Sequence, residues 1–240
     1  MKFQTPLIEA RLIRRYKRFL ADIELPDGQI VTAHCANSGA MTGLATPNAR
    51  IWVEDVTSPT RKLSHSWKLV ETGAGHFALV DTSMANRVVE EGLRAAKLPE
   101  FLAYSTIRRE VKFGDKSRID FCLCDDKGQT VWVEVKSVTL SSAPGLGIFP
   151  DAVTERGAKH LAELERIRTR GGRAAMLYVM NRTDCTAFGI ARDVDPAYAS
   201  AFDKARAAGV EMFCYGTRIT PQGVWLTGRL EMEPGRQMSD

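Results

Sequence analysis

The chain has 240 residues, 44% hydrophobic and 26% charged, a composition that fits one large globular domain or two smaller ones and excludes a disordered or fibrous chain. A formal net charge of +4 suits an anionic partner without demanding one, and five cysteines without a C-x-x-C pair argue against a zinc knuckle or a disulfide framework. The basic residues 1–20 carry no apolar leader, and no run approaches the ~18 apolar residues of a membrane span, so a cytoplasmic chain that does not engage a membrane is expected.

Strand-like runs come first, at 7–13, 19–25, 30–34, 50–54 and 66–71. Turn signals at Pro26-Asp27-Gly28, Ser38-Gly39, Pro47-Asn48 and Gly73-Ala74-Gly75 separate them. Five or six short strands so spaced suggest a small barrel. Residues 1–20 carry Lys2, Arg11, Arg14, Arg15, Lys17 and Arg18 against Glu9 alone, with Tyr16 and Phe19 interleaved. Cations beside stacking rings suit a strand edge that contacts nucleic acid; the competing reading is a solvated basic strand with two core aromatics. The run ANSGAMTG at 36–43 reads as a tight loop needing positive φ at Gly39 and Gly43, with a phosphate cradle of backbone amides as the alternative. His34 just before it reads as structural.

Residues 84–98 then place Val88, Val89, Leu93 and Ala96 at helical spacing, with Asp81, Thr82 or Ser83 as N-cap. A strand at 107–113, closed by Gly114-Asp115, precedes RIDFCLC (118–124), DDKGQT (125–130) and VWVEVK (131–136), which read as a hairpin. A Ser/Gly/Pro-rich loop at 141–147 leads to a helix over 154–170, stopped by Gly171-Gly172, and to a buried strand at 173–180. Asp151 or Thr154 can cap that helix. The order αβββαβ implies an α/β layer sandwich. A further helix at 195–209, with Pro196 in its first turn, is followed by a strand at 210–215, so a helix-turn-helix is excluded; 231–240 reads as a frayed tail.

The hairpin carries the chemistry. Glu134 and Lys136 share a strand face with Trp132. A three-residue loop Asp126-Lys127-Gly128, with Gly128 left-handed, sets Asp125 opposite Gln129 and Asp120 opposite Glu134, with Cβ atoms roughly 5 Å apart. A two-residue loop would send Asp120 to the other face. Two facing carboxylates stay ionised most easily around a cation, and Mg²⁺ or Mn²⁺ is the expected one. Asp120 and Glu134 would hold it, the Val135 carbonyl assisting, while Lys136 orients a water or stabilises developing charge. A cross-strand salt-bridge ladder with Arg118 is the bland alternative. On the 154–170 helix, Arg156, Lys159, Glu163, Arg166 and Arg170 form one stripe. Arg156 and Lys159 in its first turns oppose the helix dipole unless an anion binds there, which makes them candidate phosphate contacts. His160 is open between acid–base and structural roles.

The order of elements, with an acid on the second strand and acid-x-lysine on the third, resembles the PD-(D/E)XK nuclease core. That resemblance implies that Glu90 and Glu110 sit where extra metal ligands or hydrogen-bonding carboxylates occur. Asp120 follows Ile119 rather than proline, and Pro150-Asp151 comes too late in the chain to supply the first acid. The blocks RYKRFLAD (15–22), HCANSGAM (34–41), SRIDF (117–121), EVKSVTL (134–140) and FPDAVTERGAKHL (149–161) are similar to the sugar fermentation stimulation protein A (SfsA) family from about residue 7 to about 216. Ser38 and Ala40 stand where threonine and serine are expected. The resemblance implies an OB-like barrel over 1–81, a nuclease-like α/β domain over 82–240, binding of DNA with RNA as the alternative polymer, and a regulatory role in sugar, especially maltose, metabolism. Two functions follow: a metal-dependent nuclease, or a non-catalytic DNA-binding regulator on the same scaffold.

Overall fold

The computed structural model describes residues 1–113 and 117–233. The turn read at Gly114-Asp115 and most of the tail read as frayed lie outside the described residues.

Strands β1 (Leu7–Tyr16), β2 (Leu20–Glu24), β3 (Ile30–Cys35), β4 (Arg50–Asp55), β5 (His65–Gly73) and β6 (His76–Leu79) form one antiparallel sheet in the order β3-β2-β1-β4-β5-β6. β3 also pairs in parallel with β5 at Ala33–His65, His34–Ser66 and Cys35–Trp67. The pairings therefore run in a ring β1-β2-β3-β5-β4, as a five-stranded OB-type barrel requires. Its sequence alternates accordingly: Ala10 and Leu12 of β1 point inward onto Ile23, Ala33, Ile51, Val53 and Trp67, while Glu9, Arg11 and Ile13 face out.

The rest of the chain runs through α1 (Met84–Arg94), β7 (Thr106–Phe113), β8 (Ser117–Cys124), β9 (Thr130–Val138), β10 (Leu140–Ala143), β11 (Gly145–Phe149), α2 (Glu155–Thr169), β12 (Arg173–Met180), β13 (Cys185–Ile190), α3 (Pro196–Ala207), β14 (Glu211–Thr220), β15 (Gly223–Arg229) and β16 (Glu231–Met232). The main sheet has the order β15-β14-β12-β9-β8-β7, with β9, β12 and β14 parallel. α1 covers one face through Met84, Val88 and Val89 against Val133, Val135 and Val179. α2 and α3 cover the other through Leu161, Leu164 and Phe202 against Met176 and Tyr178. This is the nuclease-like αβββαβ order read from the sequence, and β14 joins the same sheet as expected. Thr154 caps α2 by accepting from Gly157 N (3.0 Å), and Asp195 caps α3 by accepting from Tyr198 N (2.9 Å).

Four local expectations change. The 141–147 segment is not a loop: β10 and β11 form a hairpin, and β11 lies parallel to β13 in a small sheet β10-β11-β13-β16. Leu146 and Ile148 alternate inward there, a pattern too short to stand out among its glycines. Residues 231–232 are paired to β13 rather than frayed. α1 ends at Arg94 because Ala96 turns left-handed (φ 54°) and Leu98 drops into the core. At 36–43, positive φ falls at Met41 and Gly43, not at Gly39.

The barrel and the α/β domain share one apolar cluster. Trp52, Leu69 and Leu79 from the barrel pack with Met84, Val88, Phe121 and Val179. A shared core fixes the barrel's loops relative to the main sheet.

Candidate active site

The hairpin register places Asp120 across from Glu134. β8 and β9 pair at Cys124–Thr130 through Phe121–Val133, with Gly128 at φ 78° in the turn, which is the register of the three-residue loop. Beyond Phe121 the ladder opens. Asp120 Oδ2 accepts from Val135 N (2.8 Å), and Glu134 Oε2 accepts from Asp120 N (3.4 Å), so side chains take up the ladder's donors. In an extended strand a residue's N–H and C=O point to the same neighbour. The Val135 carbonyl therefore faces the same gap as Asp120.

Three side chains hold the two carboxylates in place, and a fourth, Arg156, reaches them through His160. Asn86 on α1 donates to Asp120 Oδ1 (2.7 Å), and Lys136 donates to Glu134 Oε1 (2.6 Å). His160 on α2 contacts the same Glu134 oxygen through Nδ1. Arg156 Nε donates to His160 Nε2 (3.4 Å). His160 Nδ1 also lies 3.1 Å from Lys136 Nζ, so the ring is set between Arg156 on one nitrogen and Lys136 and Glu134 on the other. Glu134 is 2% exposed and His160 7%. Burial, then the Glu134 charge, push the Asp120 carboxyl up to about 6. Burial pushes Glu134 up too, but the His160 hydrogen bond and the Lys136 charge outweigh it and leave Glu134 below its ordinary value.

These groups lie in a cavity of about 370 Å³ whose walls come from both domains. Asn37, Ser38 and Gly39 from the barrel line it together with Asp151, Thr154 and Arg156, with Gly39 packed against the Asp151 carboxylate. A Cβ at Gly39 would lie 2.7 Å from Asp151 Cγ, so glycine here serves close approach to the Asp151 carboxylate, which would have to swing aside for a side chain, rather than positive φ. The Gly39 amide donates to Asn37 Oδ1 (2.8 Å), so it is not a free phosphate donor.

The other residues expected from sequence are distributed as follows. Glu90 is bonded by Arg94 (2.8 Å) and Arg109 (2.8 Å) and does not line the cavity. Glu110 falls opposite Asp120 between the pairs Arg109–Phe121 and Val111–Ile119, but is exposed, with φ 49°. That left-handed backbone costs a non-glycine residue about 1–2 kcal/mol. Arg156 lines the cavity, whereas Lys159 is exposed outside its lining. Arg14 pairs with Asp22 (2.8 Å) and lies over Tyr16, whose hydroxyl also donates to Asp22 (3.0 Å). Arg15 donates to the carbonyls of Asn37 (2.9 Å) and Gly39 (3.0 Å), so it braces the cavity wall. Lys17 and Arg18 form the left-handed β1–β2 turn and are exposed. Asn86 went unnoticed in sequence, although it shares a helical stripe with Glu90 four residues on.

Hard cations take oxygen donors from one or two carboxylates and keep several waters. Asp120, Glu134 and the Val135 carbonyl could supply such a set, and Asp120 is raised first by burial and then by the Glu134 charge, both of which a bound cation would offset. Among the described residues no group of three or more His, Cys, Asp or Glu is arranged to hold a metal ion, so any cation here would rest on the two carboxylates, a carbonyl and waters.

An OB-type barrel joined to a nuclease-like αβββαβ domain, with two carboxylates and a lysine where the second and third strands part, defines a two-domain protein of nuclease-like fold. Residues 13–80 match the family model described as the SfsA N-terminal OB domain, and residues 83–223 the sugar fermentation stimulation protein RE domain. The chain belongs to the sugar fermentation stimulation protein (SfsA) family. A sugar fermentation stimulation protein homolog of Ruegeria sp. (strain TM1040) is 56% identical over 224 residues, 93% of this chain and 97% of that protein. The homolog of Ruegeria pomeroyi is 55% identical over 230 residues, 96% of this chain and all of that one. The solved structure of Pyrococcus furiosus SfsA in complex with Ca²⁺ is similar with a TM-score of 0.88 and 26% identity, covering 97% of this chain and 98% of that one. No helix among the described residues is long and apolar enough to cross a membrane.

Proposed function

We propose that this chain is a divalent-cation-dependent phosphodiesterase acting on nucleic acid, with DNA as the first candidate polymer. The observation that carries the reading is the opened β8–β9 ladder, which leaves Asp120 and Glu134 facing one another beside Lys136 on a cavity floor. The Pyrococcus relative was solved with Ca²⁺, a hard cation of the class this donor set suits.

Asp120, Glu134 and the Val135 carbonyl would hold Mg²⁺ or Mn²⁺. A bound divalent cation supplies polarisation of a phosphoryl oxygen and a lowered pKa for bound water. Lys136, fixed by Glu134, presents its remaining N–H donors to the attacking water or to the charge that develops on phosphorus. His160 holds Glu134 in orientation, and Asn86 does the same for Asp120. Arg156 at the wall offers a cation to a substrate phosphate.

A second reading has one observation in its favour. All four oxygens of Asp120 and Glu134 already accept from protein donors, which fits a DNA-binding regulator of sugar metabolism that keeps the scaffold without the chemistry. One experiment separates the two. Single- and double-stranded DNA and RNA are incubated with Mg²⁺ or Mn²⁺, with and without chelator, beside Asp120→Ala and Lys136→Ala. Chelator-sensitive cleavage lost in both variants supports the phosphodiesterase. Binding without cleavage on every substrate leaves the regulator.

A further inference from the structure

A second cavity of about 490 Å³ lies on the barrel side of α1's first turn, within the size range of small-ligand sites. It adjoins the candidate active site: Ser83 lines both, Asn86 faces the first and Arg87 the second. Arg61 and Lys62 enter it from the loop between β4 and β5, and His34 from β3. Arg61, Lys62 and Arg87 are exposed, and none is ion-paired among the described residues. The acids at the floor are already committed. Lys68 binds Asp81 (2.6 Å) and Glu54 (3.4 Å). Glu54 Oε1 accepts from Gln4 N (2.6 Å), and Asp81 Oδ1 from Ser83 Oγ (2.5 Å). The surplus charge facing the opening is thus cationic. Beside it, the Phe19 ring stacks on His34 at 6.4 Å and 23°, and Phe19 is 44% exposed, a large apolar ring left toward solvent.

A ring platform flanked by unpaired cations is what an unstacked nucleotide uses. Bases stack on aromatic side chains while basic residues follow the backbone, and OB folds present this on β2–β3 and the β1–β2 and β4–β5 loops. Phe19 begins at the β1–β2 turn, His34 is on β3, and Arg61 and Lys62 are in the β4–β5 loop. We propose that this cavity is a second nucleotide subsite, which holds an unpaired stretch of the strand whose phosphodiester lies at the Asp120–Glu134 site. A base stacks on Phe19 and His34, and Arg61, Lys62 and Arg87 hold its phosphates. The proposal rests on the nucleic-acid reading above and adds strandedness: a base in a duplex is already stacked on its neighbours and cannot use the platform.

The test is fluorescence anisotropy of the full chain in chelator with a labelled oligothymidylate, and separately with a labelled duplex, across a salt series. Phe19→Ala weakens single-strand binding about 5- to 150-fold with little change in salt slope. The double variant Arg61→Ala/Lys62→Ala lowers the magnitude of the log–log salt slope by about 1.4, at ~0.7 per phosphate contact. Lys204→Ala, an exposed cation on α3, leaves both unchanged. Parental affinities for both Phe19→Ala and the double variant overturn the subsite. So does equal weakening of duplex binding by Phe19→Ala, or a parent that binds no nucleic acid. Cleavage with Mn²⁺, read in parallel, keeps the two readings apart. Cleavage with unaffected binding in the variants removes only the subsite; weakened binding in the variants with no cleavage removes only the phosphodiesterase.

Discussion

Asp120→Asn isolates the electrostatic strain of the proposed cation site. Burial and Glu134 raise the Asp120 carboxyl from 3.8 to about 6. Because the folded pKa is above the unfolded one, folded protein binds more protons between those values, and stability is lost as pH rises from about 4 through 6. A shift of about two units at 1.36 kcal/mol each makes the loss on the order of 3 kcal/mol. Asparagine keeps the shape and removes the titration. It also disturbs the bonds to Asn86 and Val135 N, but that cost does not vary with pH. Glu134 contributes with the opposite sign, because its folded value is lowered, and it remains in the variant. The measurement is urea unfolding in chelator at pH 4.5 and 7.5. At pH 4.5 part of that span is already lost, so from the lower to the higher pH the parent should lose about 2 kcal/mol relative to Asp120→Asn, about 0.7 M in midpoint for an m near ~3 kcal/mol/M. Adding Ca²⁺ or Mn²⁺ at pH 7.5 should restore the parent and leave the variant unmoved. A parent-minus-variant difference that is flat or opposite in sign would refute the reasoning, since Lys136 would then be neutralising both acids unaided.

Asn86→Ala removes a donor from a proposed ligand, and outer-shell losses of that kind typically cost about 10- to 100-fold in cation affinity; calorimetric titration with Mn²⁺ should show it, and an unchanged affinity would deny Asn86 its positioning role. Gly39→Ala forces a methyl onto the Asp151 carboxylate, so it should destabilise the fold by about 1–3 kcal/mol in thermal unfolding, with partial recovery in the Gly39→Ala/Asp151→Ala double variant and none if the loop simply shifts. Tyr178 and Tyr198 are fully buried and share a hydroxyl hydrogen bond of 2.6 Å. Tyr178→Phe should cost about 1–3 kcal/mol by stranding the other hydroxyl, and Tyr178→Phe/Tyr198→Phe should cost less than the sum of the singles in a double-mutant cycle.

The hairpin was legible because its information is local. A left-handed glycine in a three-residue turn fixes register, and register fixes which side chains share a face. α2 and α3 were legible from caps and periodicity for the same reason. What stayed hidden depends on partners distant in sequence. Arg15 reads as a phosphate ligand by charge, but it lies within reach of the Asn37 and Gly39 carbonyls and is used there. Arg14 is likewise taken by Asp22. Glu90 and Asn86 occupy one stripe of α1, and only the packing of β7 decides that Arg109 claims Glu90 while Asn86 reaches Asp120. Charge type suggests a class of ligand, and tertiary neighbours decide whether the charge is still available for it.

The barrel also shapes the candidate site on the other domain's sheet. Two cations of its basic first strand are engaged within the protein, Arg14 in a surface pair with Asp22 and Arg15 on the loop carbonyls. The Arg15-braced loop in turn forms a wall of the Asp120–Glu134 cavity, held against Asp151 at a glycine. Trp52, Leu69 and Leu79 bury into the same core as α1, so the wall cannot move independently of the helix that carries Asn86. A barrel tethered by a flexible linker could deliver a strand to the site but could not shape it. Here Asn37, Ser38 and Gly39 of the barrel line the cavity itself, which makes the candidate site a product of both domains.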